Sequence, residues 1–313
     1  MHDLTHDMAT PGLSTLLGKG QWTRENQSWL ATAFGLSLDP PAAPLRLLAL
    51  NATNESNRYL CLDPVNIAFI ERSVVVANPN ELHLTENEAQ ALALSLAEVF
   101  AELGEIMITT ANQWHLRLHA TAPALPAFAA LPDFIGRRAD QGLPTDPQWR
   151  NLLNQAQVLL HAHPVNQARE ARGQQRVNSL WPWGGGSLPT DARTAHDVIV
   201  SANPVLQGLA KLCGVPADLP SAGWQASAYK NPLVILDNLA NARGQADGMR
   251  WREALAALDA NWFVPILDGL RTGEIARLKI IVPASNGNHH IELSQRALLK
   301  FWRKPASLSA FAA

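Results

Sequence analysis

The chain has 313 residues, of which 47% are hydrophobic and 17% charged, and its formal net charge is -2. That length and apolar content exclude a disordered chain and leave room for one large core with an insertion or for two domains. The near-neutral balance supplies no overall positive field for phosphodiester backbones or anionic lipid, so neither nucleic acid nor a membrane is an expected partner. Cys61 and Cys213 lie far apart and outside any CxxC spacing, which excludes a disulfide framework and a cysteine-rich zinc site. With no leader-like start and no apolar run of membrane length, the expected location is cytoplasmic.

In chain order, apolar runs predict strands at Leu45 to Leu50, Ser73 to Ala77, Glu105 to Thr109 and Trp114 to Leu118, the last two joined close to a hairpin. His115 and His119 share a strand face with Arg117, and a solvated hairpin face is the expected reading of that pattern. Thr85-x-x-Glu88 is a capping box opening a helix whose stripe is Ala89, Leu92, Leu96, Val99 and Leu103. A proline-rich patch covers Thr121 to Pro132. Asp146-Pro147 then starts a helix carrying Trp149, Leu152, Leu153, Ala156, Leu159 and Leu160 inward, and His161 to Pro164 breaks it.

Further on, DVIVSA reads as a buried strand, PVLQGLAKLCG as a helix stopped by Gly214, and PLVILDNL as a second strand. A long periodic helix from Trp251 to Leu270 contains Pro265, which predicts a kink or split. ARLKIIVPA closes as a strand, followed by the short helix SQRALLKFW. Strand and helix alternation predicts an α/β layer with mainly parallel pairing in this half.

One constellation stands out. If Pro164 starts a helix that Gly173 ends, Asn166, Arg169 and Arg172 fall at three-residue steps on one side, and two guanidiniums can converge on a carboxylate or phosphate. The competing reading pairs these arginines with Glu170, Asp146 or another acid. Just downstream, RVNSLWPWGGGSLP reads as an extended segment from Val177 to Trp183. Ser179, Trp181 and Trp183 take one face, Pro182 marks a sheet edge or exit, and Gly184, Gly185 and Gly186 let backbone approach something bulky or anionic.

HPVNQAREARGQQRVNSLWPWGGGSLP, with LTENEAQAL and QWRNLLNQAQVLLHAHPVN before it, resembles the archaeal-type cofactor-independent phosphoglycerate mutases and, more closely, their bacterial relatives called RpfE-type regulatory proteins. The resemblance is strong from about Asp63 to Pro189 and weak elsewhere; Asp63-Pro64-Val65 and FWRKP also fit the regulatory group. It implies an alkaline-phosphatase-like α/β core with a mainly parallel sheet flanked by helices (1–78 and 176–313) and an inserted α+β substrate lobe (79–175). Active members move phosphate with two metal ions and a hydroxyl nucleophile.

The family's Asp-Gly-x-x-Asp element has no counterpart in MHDLTHDMATPGL. LDNLANARGQADG keeps Asp237 and Asp247 but has Gln245 or a neighbour where a histidine belongs. VPASNGNHHIEL offers Ser285, Asn286 and the adjacent pair His289 and His290, which a strand would turn to opposite faces. Motifs for nucleophile-elbow hydrolases, P-loop enzymes, dinucleotide enzymes and zincins are absent.

The expectation is therefore a mutase-like protein without the two-metal site, with no catalytic residues, no metal and no cofactor. It would be a regulatory or binding protein for a small phosphorylated or carboxylated metabolite, held by His163, Asn166, Arg169, Arg172, Asn178, Trp181, Trp183, Gly184, Gly185 and Gly186. The alternatives are an active metal-dependent mutase or phosphatase with a rearranged site, and a module whose tryptophans dock a protein partner.

Overall fold

A computed structural model describes residues 8–53, 57–70, 73–225, 229–237, 239, 248–284 and 287–306. Along the chain come α1 (Pro11–Lys19), β1 (Gln21–Glu25), α2 (Trp29–Ala33), α3 (Ala42–Ala49), β2 (Tyr59–Val65), β3 (Ile67–Ile70), β4 (Ser73–Val76) and α4 (Glu86–Phe100). β5 (Gly104–Thr110), β6 (Gln113–Leu118), α5 (Leu131–Phe134), α6 (Pro147–Ala162), α7 (Pro164–Ala171) and β7 (Ser179–Gly186) follow. The remainder is β8 (Val198–Val200), α8 (Pro204–Leu212), β9 (Ala217–Asp218), β10 (Pro232–Val234), α9 (Gly248–Leu258), α10 (Val264–Thr272), β11 (Arg277–Ala284), β12 (Gly287–Ser294) and α11 (Gln295–Leu298).

The chain divides into two compact units. The first comprises Met1–Asp39, Asp191–Ala202 and Cys213–Ala313. Its longer-stranded sheet is antiparallel in the order β1-β12-β11, the hairpin β11–β12 with β1 added to its edge. Ile291 and Leu293 of β12 pack with Leu13, Leu16 and Leu17 of α1 and with Leu255, Leu258, Trp262, Leu267 and Leu270. The long periodic segment does split: a π-helical turn over Asp259–Phe263 separates α9 from α10, and Pro265 falls in the first turn of α10, where its missing N–H costs nothing. Buried Asp259 closes the start of α1, its carboxylate accepting the N–H groups of Leu13 at 2.6 Å and Gly12 at 3.2 Å. His289 and His290 do take opposite faces: His289 lies edge-on to Trp22, while His290 is buried with Nδ1 3.5 Å from Glu25 Oε1.

Among the described residues, the one sheet with parallel strand pairing is the small sheet β10-β8-β9. The mainly parallel sheet expected for this half is corrected accordingly, since the other three sheets of the described residues are antiparallel. Connection length accounts for two of the antiparallel pairs: a parallel neighbour needs a crossover of a dozen or more residues, and β5–β6 and β11–β12 are each joined by two.

The second unit comprises Pro40–Thr190 and Asn203–Leu212. It is built on a four-stranded antiparallel sheet in the order β5-β6-β2-β7. Leu60, Leu62, Trp114, Leu116 and Leu118 point from one face into a core closed by Leu92, Leu96 and Phe100 of α4 and Trp149, Leu153 and Leu160 of α6. Both helices start as the sequence requires. Thr85 and Glu88 form a reciprocal capping box, and Asp146 accepts the Trp149 N–H with Pro147 at the first helical position. Because β2 and β7 belong to the same sheet as β5 and β6, lobe boundaries at 78/79 and 175/176 would cut through this layer.

The opposite face is covered by α3, whose Ala42, Ala43 and Leu47 lie over Tyr59 and Cys61. Here the expected strand Leu45 to Leu50 is corrected to helix. Ala, Leu and Arg are strong helix formers, and Pro44 lies in the first turn, where it is tolerated. α8 packs on α3 closely enough that a Cβ on Gly208 would stand 2.1 Å from the Leu45 carbonyl oxygen.

Candidate functional site

The tryptophan–glycine stretch forms β7, which among the described residues is an edge strand paired with β2 alone. Pro182, which cannot donate to a ladder, is thereby accommodated. Asn178 precedes the strand and bonds the backbone of Ile67, its Oδ1 accepting the N–H at 2.8 Å and its Nδ2 donating to the C=O at 2.9 Å. Trp181 is buried, with Nε1–H on the Ala129 carbonyl at 2.9 Å and its ring against Phe134. Gly184 has φ +59°, and a Cβ there would meet Ala42 Cβ at 2.7 Å; one on Gly186 would meet Pro41 Cβ at 2.9 Å. The glycine backbone thus approaches the start of α3. Gly185 is tight against Leu125 and Leu60.

Trp183 leads to a buried polar cluster beneath α3. Its indole N–H donates to Asp63 Oδ2 at 2.8 Å. Arg46, projecting from α3, clasps the same carboxylate through Nη1 at 2.8 Å and Nη2 at 3.1 Å, and the Trp114 backbone N–H adds a fourth donor at 3.2 Å. Local chain geometry explains the last bond: β2 pairs with β6 only over residues 59–61, so at Trp114 the Asp63 side chain takes over from the ladder. Arg46 also donates to Cys61 Sγ at 3.2 Å and Gln113 Oε1 at 3.2 Å, and lies 5.5 Å from the Trp183 ring centroid.

Burial works against the Arg46 charge, but Asp63 and then Cys61 hold its pKa above the usual arginine value. Burial pushes the Cys61 thiol up to about 12 against the pull of Arg46. His115 sits between Cys61 and Met107 in the sheet, with 0% exposure, so the solvated face expected for it is corrected. Burial, followed by the Arg46 charge, lowers its pKa to about 3, and neither ring nitrogen has a hydrogen-bond partner among the described residues. Arg117 and His119 on the same strand side are exposed, as expected. The sequence signal that marks this cluster is Asp63-Pro64 within a run that is otherwise apolar: a carboxylate in a buried strand requires a partner.

The second polar cluster is centred on Glu88. Arg169, 0% exposed, donates Nη1 to Glu88 Oε2 at 2.7 Å, Nε to the Gln175 carbonyl at 2.9 Å and Nη2 to the Leu82 carbonyl. Arg172 donates Nη2 to Glu88 Oε1 at 2.7 Å and Nε to Gln174. The two guanidiniums do converge, and the anion between them is the capping-box carboxylate of α4. Burial acts to raise the Glu88 pKa, but the Thr85 N–H and then Arg169 hold it below the usual carboxylate range. Asn166, buried on the same helix, ties Leu160 to Val177 through two carbonyls and one N–H, each within 2.7–2.9 Å. His163 caps α7, with Nδ1 accepting the Val165 N–H at 3.2 Å.

Of the ten expected ligand contacts, then, Arg169 and Arg172 meet at one carboxylate, Trp183 joins the Arg46–Asp63 cluster, and the others bond or pack on separate parts of the unit. A cavity of about 200 Å³, lined by Leu103, Leu118, Leu125, Asp146 and Trp149 among others, includes none of the ten. Among the described residues no three His, Cys, Asp or Glu side chains are grouped to hold a metal ion, and no helix is long and apolar enough to cross a membrane. Asp237 is exposed; Gln245, Asp247, Ser285 and Asn286 lie outside the described residues.

No protein-family model matches the chain. A segment of 152 residues is 28% identical to the 2,3-bisphosphoglycerate-independent phosphoglycerate mutase of Methanothrix thermoacetophila, covering 45% of this chain and 37% of that protein. A segment of 91 residues is 30% identical to the corresponding Methanosarcina barkeri enzyme, covering 26% of this chain and 23% of that one. The chain therefore matches well under half the length of these relatives. Among solved structures, the cofactor-independent phosphoglycerate mutase of Thermoplasma acidophilum aligns with a TM-score of 0.46 at 15% identity, over 98% of this chain and 88% of that one. The chain is a mixed α/β protein distantly related to the cofactor-independent phosphoglycerate mutases.

Proposed function

We propose that this chain is a mutase-related binding protein, of the regulatory kind, that recognises a small phosphorylated or carboxylated metabolite and does not carry out two-metal phosphoryl transfer. The observation that carries the reading is the position of Arg46. Cys61 and His115 are cross-strand partners on the sheet face that also carries Asp63, and the guanidinium lies against the thiol and the carboxylate. A divalent cation needs unsatisfied oxygen and nitrogen donors, and a fixed positive charge bonded to the carboxylate repels it. The sequence also lacks the family's Asp-Gly-x-x-Asp element and has Gln245 or a neighbour where a histidine belongs, although Asp237 and Asp247 are kept.

For the ligand, the support is Arg172. It is 57% exposed, and among the described residues its bonds run through Nη2 and Nε, so it retains donors for an anion beside the Glu88 cluster. On this reading Arg169 holds Glu88 in place beside the site, while Arg172 makes the contact.

The test is calorimetric titration with 3-phosphoglycerate, together with a turnover assay in manganese, magnesium, zinc and cobalt. Saturable binding weakened about tenfold in Arg172→Ala, with no turnover, supports the reading. Turnover that a chelator abolishes overturns it.

A further inference from the structure

We infer that the turn following α11 is a contact surface for an anionic lipid bilayer, with Leu299, Phe301 and Trp302 entering the headgroup region. Between Leu293 and Ala306 the sequence LSQRALLKFWRKPA has four cations and no acid, in a chain whose net charge is -2. Within it, Leu299, Phe301 and Trp302 are 75%, 86% and 65% exposed, and the two aromatic rings stand edge to face at 5.2 Å.

These side chains are turned outward by a backbone that is tied down. Lys19 Nζ donates to the Lys300 carbonyl at 2.7 Å, and Arg303 Nη1 donates to the Lys19 and Gly20 carbonyls at 3.1 and 3.0 Å. The Ala306 N–H reaches the Ser14 carbonyl at 2.9 Å, and the segment lies so close to α1 that a Cβ on Gly18 would strike the Lys304 carbonyl oxygen. Four bonds and a glycine contact therefore fix a three-residue apolar tip in the open.

Charge and size decide the occupant. Arg296, Lys300 and Lys304 make no ion pair within the described residues, so the tip is rimmed by free positive charge and calls for an anionic surface. A second copy would bring the same cations to the contact. A stable protein interface needs about 20–30 residues a side and is depleted in lysine, whereas an interfacial anchor needs only a few aromatic and aliphatic side chains backed by Lys or Arg. The expectation of no membrane partner rests on whole-chain charge and on the lack of a spanning helix, and neither bears on a local cationic tip.

The experiment is co-sedimentation of the full chain with phosphatidylcholine vesicles, with and without phosphatidylglycerol, at low and physiological salt. Expected are binding to the phosphatidylglycerol vesicles only, weakening with salt, and a drop of about tenfold or more in Phe301→Ser/Trp302→Ser. Lys300→Glu/Lys304→Glu gives a second route to the same loss should the first variant fail to fold. Brominated acyl chains should quench wild-type fluorescence more than that of Trp302→Phe. Absence of binding to anionic vesicles overturns the inference, as does equal binding by well-folded variants, or a dimer that Phe301→Ser/Trp302→Ser dissociates while vesicle binding stays unchanged.

Discussion

Arg46 and Asp63 meet as a bidentate pair inside the second unit, with Nη1 2.8 Å from Oδ2 and Nη2 3.1 Å from Oδ1 and both side chains about 5% exposed or less. The pair joins α3 to the sheet, and Trp183 and Trp114 supply the remaining donors to the carboxylate. Removing one member leaves the other charged and buried. Asp63→Asn should therefore cost about 3–5 kcal/mol in urea unfolding, whereas Arg46→Met/Asp63→Leu should recover most of that loss because no buried charge is left unpaired.

Stability should also fall on mild acidification. His115 has a folded pKa lowered to about 3, against an unfolded value near 6.5. Between those values the unfolded chain binds the extra proton, so stability is complete above about pH 6.5 and declines as pH drops toward 3. The Arg46 charge sharpens the effect, since an imidazolium there would face a guanidinium. Glu88, with its folded pKa depressed, adds a separate loss that begins only below the ordinary glutamate range, near about 4.3. Urea midpoints from pH 7 to 5 should slope downward in the wild type and flatten in His115→Gln; parallel curves would remove His115 from the account.

Much of this layer can be read from residue types alone. The capping box at Thr85, the Asp146-Pro147 start, the β5–β6 hairpin and the break before Pro265 are local signals, set by side chains a few residues apart, and they occur where those signals point. What was not local was not legible. Leu45 to Leu50 is apolar enough for either period; its helix formers permit the helix, and the packing on β2 and α8 that accompanies it is not written in the run itself. The convergence of Arg169 and Arg172 follows from helical spacing, but the partner, Glu88, lies 81 residues from Arg169 in sequence. Likewise the three glycines announce a close approach without saying that Pro41 and Ala42 make it.

The two thiols should differ sharply. Cys61 is fully buried, and burial pushes its pKa to about 12, so almost no thiolate exists at neutral pH and no reagent reaches it. Cys213 is partly exposed, and burial raises its pKa as well. An aromatic disulfide reagent at pH 8 should release one equivalent slowly from the native chain and the second only on unfolding. Prompt release of both from native protein would contradict the buried position of β2.

The Glu88 cluster sets a contrast between its two arginines. Arg169 is 0% exposed and serves two carbonyls as well as the carboxylate, so truncation leaves buried acceptors and part of a buried charge without donors. Arg172 is 57% exposed, and its share of Glu88 competes with water. Arg169→Ala should lower unfolding free energy by about 3 kcal/mol or more and shift the melting temperature by several degrees. Arg172→Ala should cost about 1 kcal/mol at most. Arg169→Lys tests the geometry further: a lysine keeps the charge but cannot span Glu88, Gln175 and Leu82 together, so it should rescue little. Near-equal losses for the two alanine variants would mean that the carboxylate, rather than the buried guanidinium, holds α7 to α4.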